Sequence, residues 1–178
     1  PANENGEIEF HIRGVSSGWV SPSIVGHTQV GDQWLLGSPL GSLGVAGSND
    51  RDMLMIGCGT GIAPLRAQVL EMSHRRSNPR VHVFVGGHHP CDLYDLEMLW
   101  QLSLTNPWLT VTPVVENDEN PWWHPEVPDF SAPGMHRKIT GQIGRVVAGL
   151  GAWSDRDIQI AGSPSMVQTT KFRLMAGG

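Results

Sequence analysis

The sequence predicts an α/β fold: a parallel sheet with helices on both faces, preceded by a β-rich region that looks like part of another domain. Two observations carry this. Between Met53 and Met72 a short apolar run passes through a glycine-rich turn into helical spacing. From there to the end of the chain, strand-like and helix-like stretches alternate, the pattern of a parallel sheet with crossover helices.

Taken in order, Pro1 to about Asn49 reads as β-rich. Ile8–Arg13 (IEFHIR) alternates in polarity and suits a strand, and Gln33–Gly37 (QWLLG) suits another, entered through the Gly31-Asp32 turn. Between them, Gly18-Trp19-Val20-Ser21-Pro22 turns into a short helix ending near Gly26. Three elements do not close a barrel, so this region reads as a piece of one. Gly44 to Asp50, small and polar, is the expected linker, and it divides the chain into units 1–49 and 50–178.

In the second unit, Met53–Ile56 is a continuous apolar run, as in a strand buried on both faces. Leu65, Val69 and Met72 then share one helical face. Val81–Val85 is the second strand. Leu93–Leu104 is a helix with Asp92 as its N-cap, and Leu109–Val115 is the third strand. Asn117 to Arg137, with Trp122, Trp123 and His124, resembles no element; a loop of that length is commonly functional or disordered. Ile143–Leu150 is a short helix, Asp157–Ala161 a fourth strand, and Ser165–Met175 the last helix.

The 178 residues are enough to bury a sizeable core, and a formal charge of −5 with pI near 5.9 gives no electrostatic footprint for nucleic acid. No stretch reaches the roughly 18 apolar residues of a membrane span, and no signal peptide is visible. Cys58 and Cys91 match no paired metal motif, so a reduced cytoplasmic protein is the expectation.

Strand, glycine turn, helix is the arrangement that holds a phosphate. Glycines let the backbone approach the anion, and the N–H groups of the first helical turn point at it. Gly59, Thr60 and Gly61 form that turn, and Pro64 fits the first helical turn, where its missing N–H costs little. GxGxxG is not met, because Ile62 stands where the third glycine would be, and no GxxxxGK[ST] loop is present; a turn that merely joins strand to helix is the plain alternative. His88-His89 near Cys91 matches no metal site type, and no metal is expected. Cys58 reads as a small buried residue rather than a nucleophile.

The turn GCGTGIAP resembles the GGTGxxP pyrophosphate-binding turn of the ferredoxin–NADP reductase superfamily. Four further segments follow that family's pattern in order. GWVSPSI at Gly18–Ile24 is similar to its GxVSxxL segment, and GSPLG at Gly37–Gly41 to its GPxG. GHHPCDLYDLEML at Gly87–Leu99 is similar to DLYxxxEL after the second strand, and AGSPSM at Ala161–Met166 to CGPxxM. Within the superfamily, DLYDLEML, NPWLTVTPVV and AGSPSMV look most like the reductase portion of actinobacterial-type flavohaemoglobins.

The resemblance implies hydride transfer from NADH (NADPH possible) to FAD, then electron delivery to an upstream globin domain, or to an iron–sulfur domain in the related oxygenase reductases. It implies that residues 1–49 are part of an FAD-binding β-barrel and 50–178 an NAD-binding domain. The roles it implies are these: Gly59, Thr60, Gly61 and Pro64 at the pyrophosphate; Gly162, Ser163, Pro164 and Met166 beside the nicotinamide; Gly18, Val20 and Ser21 at the flavin phosphates; Gly87 and His88 at the nucleotide's edge; and Glu116 at the adenosine ribose. No residue is singled out as a catalytic acid or base, which suits direct hydride transfer. Two departures stand out. Ala161 replaces the family's Cys, with Ser163 as a substitute contact, and no Arg-x-Tyr-[Ser/Thr] motif is present, so the chain is expected to begin just downstream of it and to be inactive alone. The rival expectation is a non-catalytic dinucleotide-binding module.

Overall fold

Two consecutive residues of the first strand face opposite ways, and each face gathers its own core. In the computed structural model, which describes residues 6–38, 40–41, 43–44, 51–119 and 134–177, Met53–Cys58 is β1 and is buried along almost its whole length. Met53 and Met55 pack with Ile62, Leu65, Val69 and Met72 of α2 (Ile62–Ser73) and with Leu96, Leu99 and Trp100 of α3 (Leu96–Thr105). Leu54 and Ile56 pack on the other face with Ile143 and Val147 of α4 (Ile143–Gly149) and with Met166 and Leu174 of α5 (Pro164–Ala176). Each fully buried Leu, Ile, Val or Phe in these two layers contributes roughly 1.5–3 kcal/mol.

The sheet is parallel and five-stranded, in the order β4-β3-β2-β1-β5, with β2 at Val81–Gly87, β3 at Leu109–Val115, β4 at Ile139–Thr140 and β5 at Asp157–Ala161. β1 pairs with β2 in the register Met53–Val81 and with β5 in the register Met53–Asp157. The chain therefore leaves β1 toward one edge and returns on its other side. This is the reversal at which open parallel sheets bind ligands.

Gly144 sets how close α4 comes to α5. A Cβ there would lie 2.7 Å from Thr170 Oγ1 and 3.0 Å from its Cα. On the same face, a polar chain crosses the sheet: His82 Nε2 lies 2.8 Å from Thr112 Oγ1, which lies 2.8 Å from His136 Nδ1. The His82 ring stacks on Phe84 at 4.2 Å and meets Trp153 edge-on. Burial above all, with the charges of His136 and Arg156 behind it, pushes the His82 imidazole down to about 4.

Several sequence expectations are corrected here. Ile8–Arg13 and Gln33–Gly37 form no strand, because no second strand lies beside them to take up their backbone N–H and C=O groups among the described residues. Instead, alternate side chains of the first segment dock onto the α/β unit. Glu9 pairs with Arg66 at 2.8 Å, His11 lies 2.6 Å from the Tyr94 hydroxyl, and Arg13 approaches Asp92 at 3.6 Å. The intervening Ile8, Phe10 and Ile12 face outward. The helix expected from Leu93 with Asp92 as cap starts at Leu96 instead. Asp92 uses its Oδ2 on the backbone N–H groups of His88 and His89, at 3.1 and 3.0 Å, closing a 3₁₀ turn over Pro90–Asp92. β4 was not anticipated. The expected helices at Gly18–Gly26 and Ser165–Met175 are present as α1 (Val20–His27) and α5. Trp122, Trp123 and His124, and most of the expected linker, lie outside the described residues.

Candidate functional site

The carboxyl ends of β1, β2, β3 and β5 open onto one cleft of about 890 Å³. Its floor is the turn after β1, where Gly59–Gly61 make one 3₁₀ turn that runs directly into α2. The glycines have different tasks. Gly59 has φ +55° and nothing within 4 Å of where a Cβ would stand, so it faces open space in a conformation that L side chains resist. Gly61 is a packing glycine: a Cβ there would overlap the Ala161 carbonyl and stand 2.6 Å from Gly162 N. Its missing Cβ lets the start of α2 sit against the end of β5.

Beside the turn, Ser163 caps α5 and accepts from Met166 N at 3.4 Å, and Gly162, Ser163 and Met166 line the cleft. Pro164 is the first residue of that helix. Ala161 is buried in the ladder opposite Gly57, and Ser163, with the Ser165 hydroxyl 3.3 Å away, supplies polar groups at this end. On the other side, the ends of β2 and β3 are zipped together past their strands: Glu116 N donates to Gly87 O at 3.1 Å and Asn117 N to His88 O at 2.8 Å. This brings His88 Nδ1 to 2.7 Å from Glu116 Oε2. Gly87, His88 and Glu116 all line the cleft, with Thr60 and Pro64.

Ten sequence-selected residues therefore meet at one place, although they come from four separate loops. Gly18, Val20 and Ser21 do not line this cleft; they lie at the start of α1, where Gly18 N donates to Val15 O at 2.9 Å. Cys58 does line it. Burial, with Glu116 adding to it, pushes its thiol up to about 12, so it stands there as a neutral group. Among the described residues, no group of three or more His, Cys, Asp or Glu side chains is placed to hold a metal ion.

Sequence reasoning missed a polar wall of the cleft. Ser165, Thr169 and Arg173 lie on one side of α5 and line the cleft, and Arg173 Nη2 donates to Gln142 Oε1 at 3.1 Å. The i, i+4, i+8 spacing of these residues was readable; that this side faces the site depends on the close α4–α5 crossing at Gly144.

The donor set fits a dinucleotide. The turn offers backbone with an open approach at Gly59, and a carboxylate stands at the end of β3. The cleft is also large enough for a molecule of that length. For a flavin, the described residues offer the start of α1, whose first turn carries no acidic side chain.

Comparison with known proteins agrees with this geometry. The family model described as Oxidoreductase NAD-binding domain matches residues 55–171. The ferredoxin–NAD(P)(+) reductase component of the naphthalene 1,2-dioxygenase/salicylate 5-hydroxylase systems of Ralstonia sp is 31% identical over 164 residues, covering 91% of this chain and 45% of its own length. An NAD(P)H-flavin reductase of Aliivibrio fischeri is 28% identical over 166 residues, covering 91% of this chain and 64% of its own length. The solved ferredoxin reductase in carbazole 1,9a-dioxygenase superposes with a TM-score of 0.65 at 23% identity, over 94% of this chain and 46% of that one. The chain spans under half the length of the dioxygenase component it matches.

Proposed function

This chain belongs to the oxidoreductase NAD-binding domain family, and from that premise we propose that it is the nucleotide-binding part of a flavin-dependent NAD(P)H reductase that serves an iron–sulfur-linked oxygenase system. The observation that carries the reading is the single cleft, which gathers the Gly59–Gly61 turn, the Ser163 cap and the His88–Glu116 pair at the reversal point of a parallel sheet. Its relatives among the reductase components of phenol monooxygenase and naphthalene dioxygenase systems favour an oxygenase reductase over the globin-linked flavohaemoglobin reading. The reduced, cytoplasmic setting is part of the proposal. Among the described residues no helix is long and apolar enough to cross a membrane.

In this reading the flavin supplies the two-electron to one-electron conversion, and the chain supplies position. The Gly59–Thr60–Gly61 backbone and the first turn of α2 hold the pyrophosphate. Glu116, oriented by His88, accepts from a ribose 2′-hydroxyl and disfavours a 2′-phosphate, so NADH is preferred. Gly162, Ser163 and Met166 border the nicotinamide, with Ser163 as the polar contact in place of a thiol. Cys58, held neutral, adds no competing nucleophile.

Residues 1–49 are read as part of the flavin domain. The outward row of Ile8, Phe10 and Ile12, together with exposed Trp34 and Leu36, supports this, because such apolar surface calls for more protein to cover it. The test is a titration of the chain with NADH, followed by tryptophan fluorescence, in the parent and in Gly59→Val. Saturable binding that the substitution abolishes supports the reading; equal binding by both sinks it.

A further inference from the structure

Charge in the cleft is unevenly compensated. Arg13 stands 3.6 Å from Asp92, and His88 stands 2.7 Å from Glu116. Arg173 has the neutral amide oxygen of Gln142 as its partner, and no carboxylate among the described residues is paired with it. Its position is defined by the backbone. Gln142 caps α4, and its neighbour Gly141 donates to Val115 O at 2.7 Å. Glu116 is the residue after Val115, so the Gln142–Arg173 pair and Glu116 belong to the same end of β3, and all three line the same cleft.

We infer that Arg173 is the residue with which this cleft takes a 2′-phosphate on the adenosine ribose, so that the choice between NADH and NADPH is an opposition between Glu116 and Arg173. The inference rests on the nucleotide reading above. A ribose 2′-hydroxyl asks only for an acceptor, which Glu116 supplies. A phosphate asks for a cation with several donors in a plane, which a guanidinium supplies, and the Gln142 contact uses only one Nη2 donor. Ser165 and Thr169 lead along α5 from the helix start toward Arg173 and add hydroxyl donors on the same side. Arg173 thus limits the NADH preference that Glu116 creates.

The test uses ligands without a nicotinamide, so no redox chemistry enters. Dissociation constants for 5′-ADP and 2′,5′-ADP are measured by calorimetry on the parent chain, Arg173→Gln, Arg173→Lys, Glu116→Gln and Gly59→Val, with helix content and melting checked for each. Arg173→Gln should weaken 2′,5′-ADP about tenfold while 5′-ADP changes within about twofold, the size of one charge-assisted hydrogen bond. Arg173→Lys should recover part of the loss, Glu116→Gln should tighten 2′,5′-ADP, and the difference between the two ligands should shrink as salt rises. Equal loss of both ligands in Arg173→Gln, or no loss of 2′,5′-ADP, overturns the inference. If the parent binds neither ligand, or Gly59→Val binds both as the parent does, the nucleotide reading itself has failed, a result distinct from a failure of Arg173.

Discussion

Lowering the pH should strip stability from this fold through His82 in particular. In the folded chain its imidazole is held down to about 4 by burial against Phe84 and Trp153, with His136 and Arg156 nearby. In the unfolded chain an imidazole titrates near 6.5. The depressed folded value means that the neutral form is the stable one. Its contribution is complete above pH 6.5 and is lost as the pH falls from there toward 4. With about 1.36 kcal/mol for each pH unit between the two values, linkage gives about 1.4 kcal/mol lost by pH 5.5 and about 2.5 kcal/mol by pH 4.5. The carboxylates also titrate in acid, so the comparison must be differential. Urea midpoints for the parent and for His82→Gln at pH 7.0, 5.5 and 4.5 isolate the imidazole. The variant will be weaker at pH 7 because it loses the Phe84 stack, but its loss on acidification should be shallower by about 2.5 kcal/mol at pH 4.5. Parallel losses in the two proteins would refute the reasoning.

Gly61→Val and Gly59→Val should separate by kind of damage. The first forces a side chain into the Ala161 carbonyl and should melt well below the parent. The second strains φ +55° by about 1–2 kcal/mol, keeps the fold and loses NADH. NADH should bind more tightly than NADPH, and Glu116→Gln should narrow the gap; tighter NADPH binding by the parent would contradict the assignment of Glu116. Cys58, with its thiol pushed up to about 12, should resist iodoacetamide at pH 8 in the native chain and react only after urea is added, as read by mass spectrometry of its peptide.

The strand–turn–helix of Met53–Met72 was legible because burial on two faces and on one face leave different apolar spacings in the sequence. The site loops were legible as well, since short polar and glycine segments follow each apolar run. β4 was not: Ile139–Thr140 is too short to carry a period, and its existence depends on pairing with Val114 and Val115. The start of α3 was misplaced because Asp92 looks like a helix cap in sequence, whereas in space its carboxylate is taken by the loop before it. Ile8–Arg13 alternates as read, but alternation does not say which side is covered, and here the charged side is inward. Arg173 was invisible for a similar reason, since only the α4–α5 crossing decides which side of α5 meets the cleft.

That inward charged side makes the N-terminal segment's attachment electrostatic. Arg66 is shared between Glu9 and Asp95, at 2.8 and 3.1 Å, and His11 joins the same group through Glu9 and Tyr94. The two sheet cores depend on apolar burial, which salt does not weaken, while the exposed pairs of this seam are screened over roughly 10 Å at 0.1 M ionic strength. Ionic strength and heat should thus act on different parts of the molecule. Salt should loosen the Glu9–Arg66 and Arg13–Asp92 pairs first, while the His11–Tyr94 contact and the amide protons of the five strands persist.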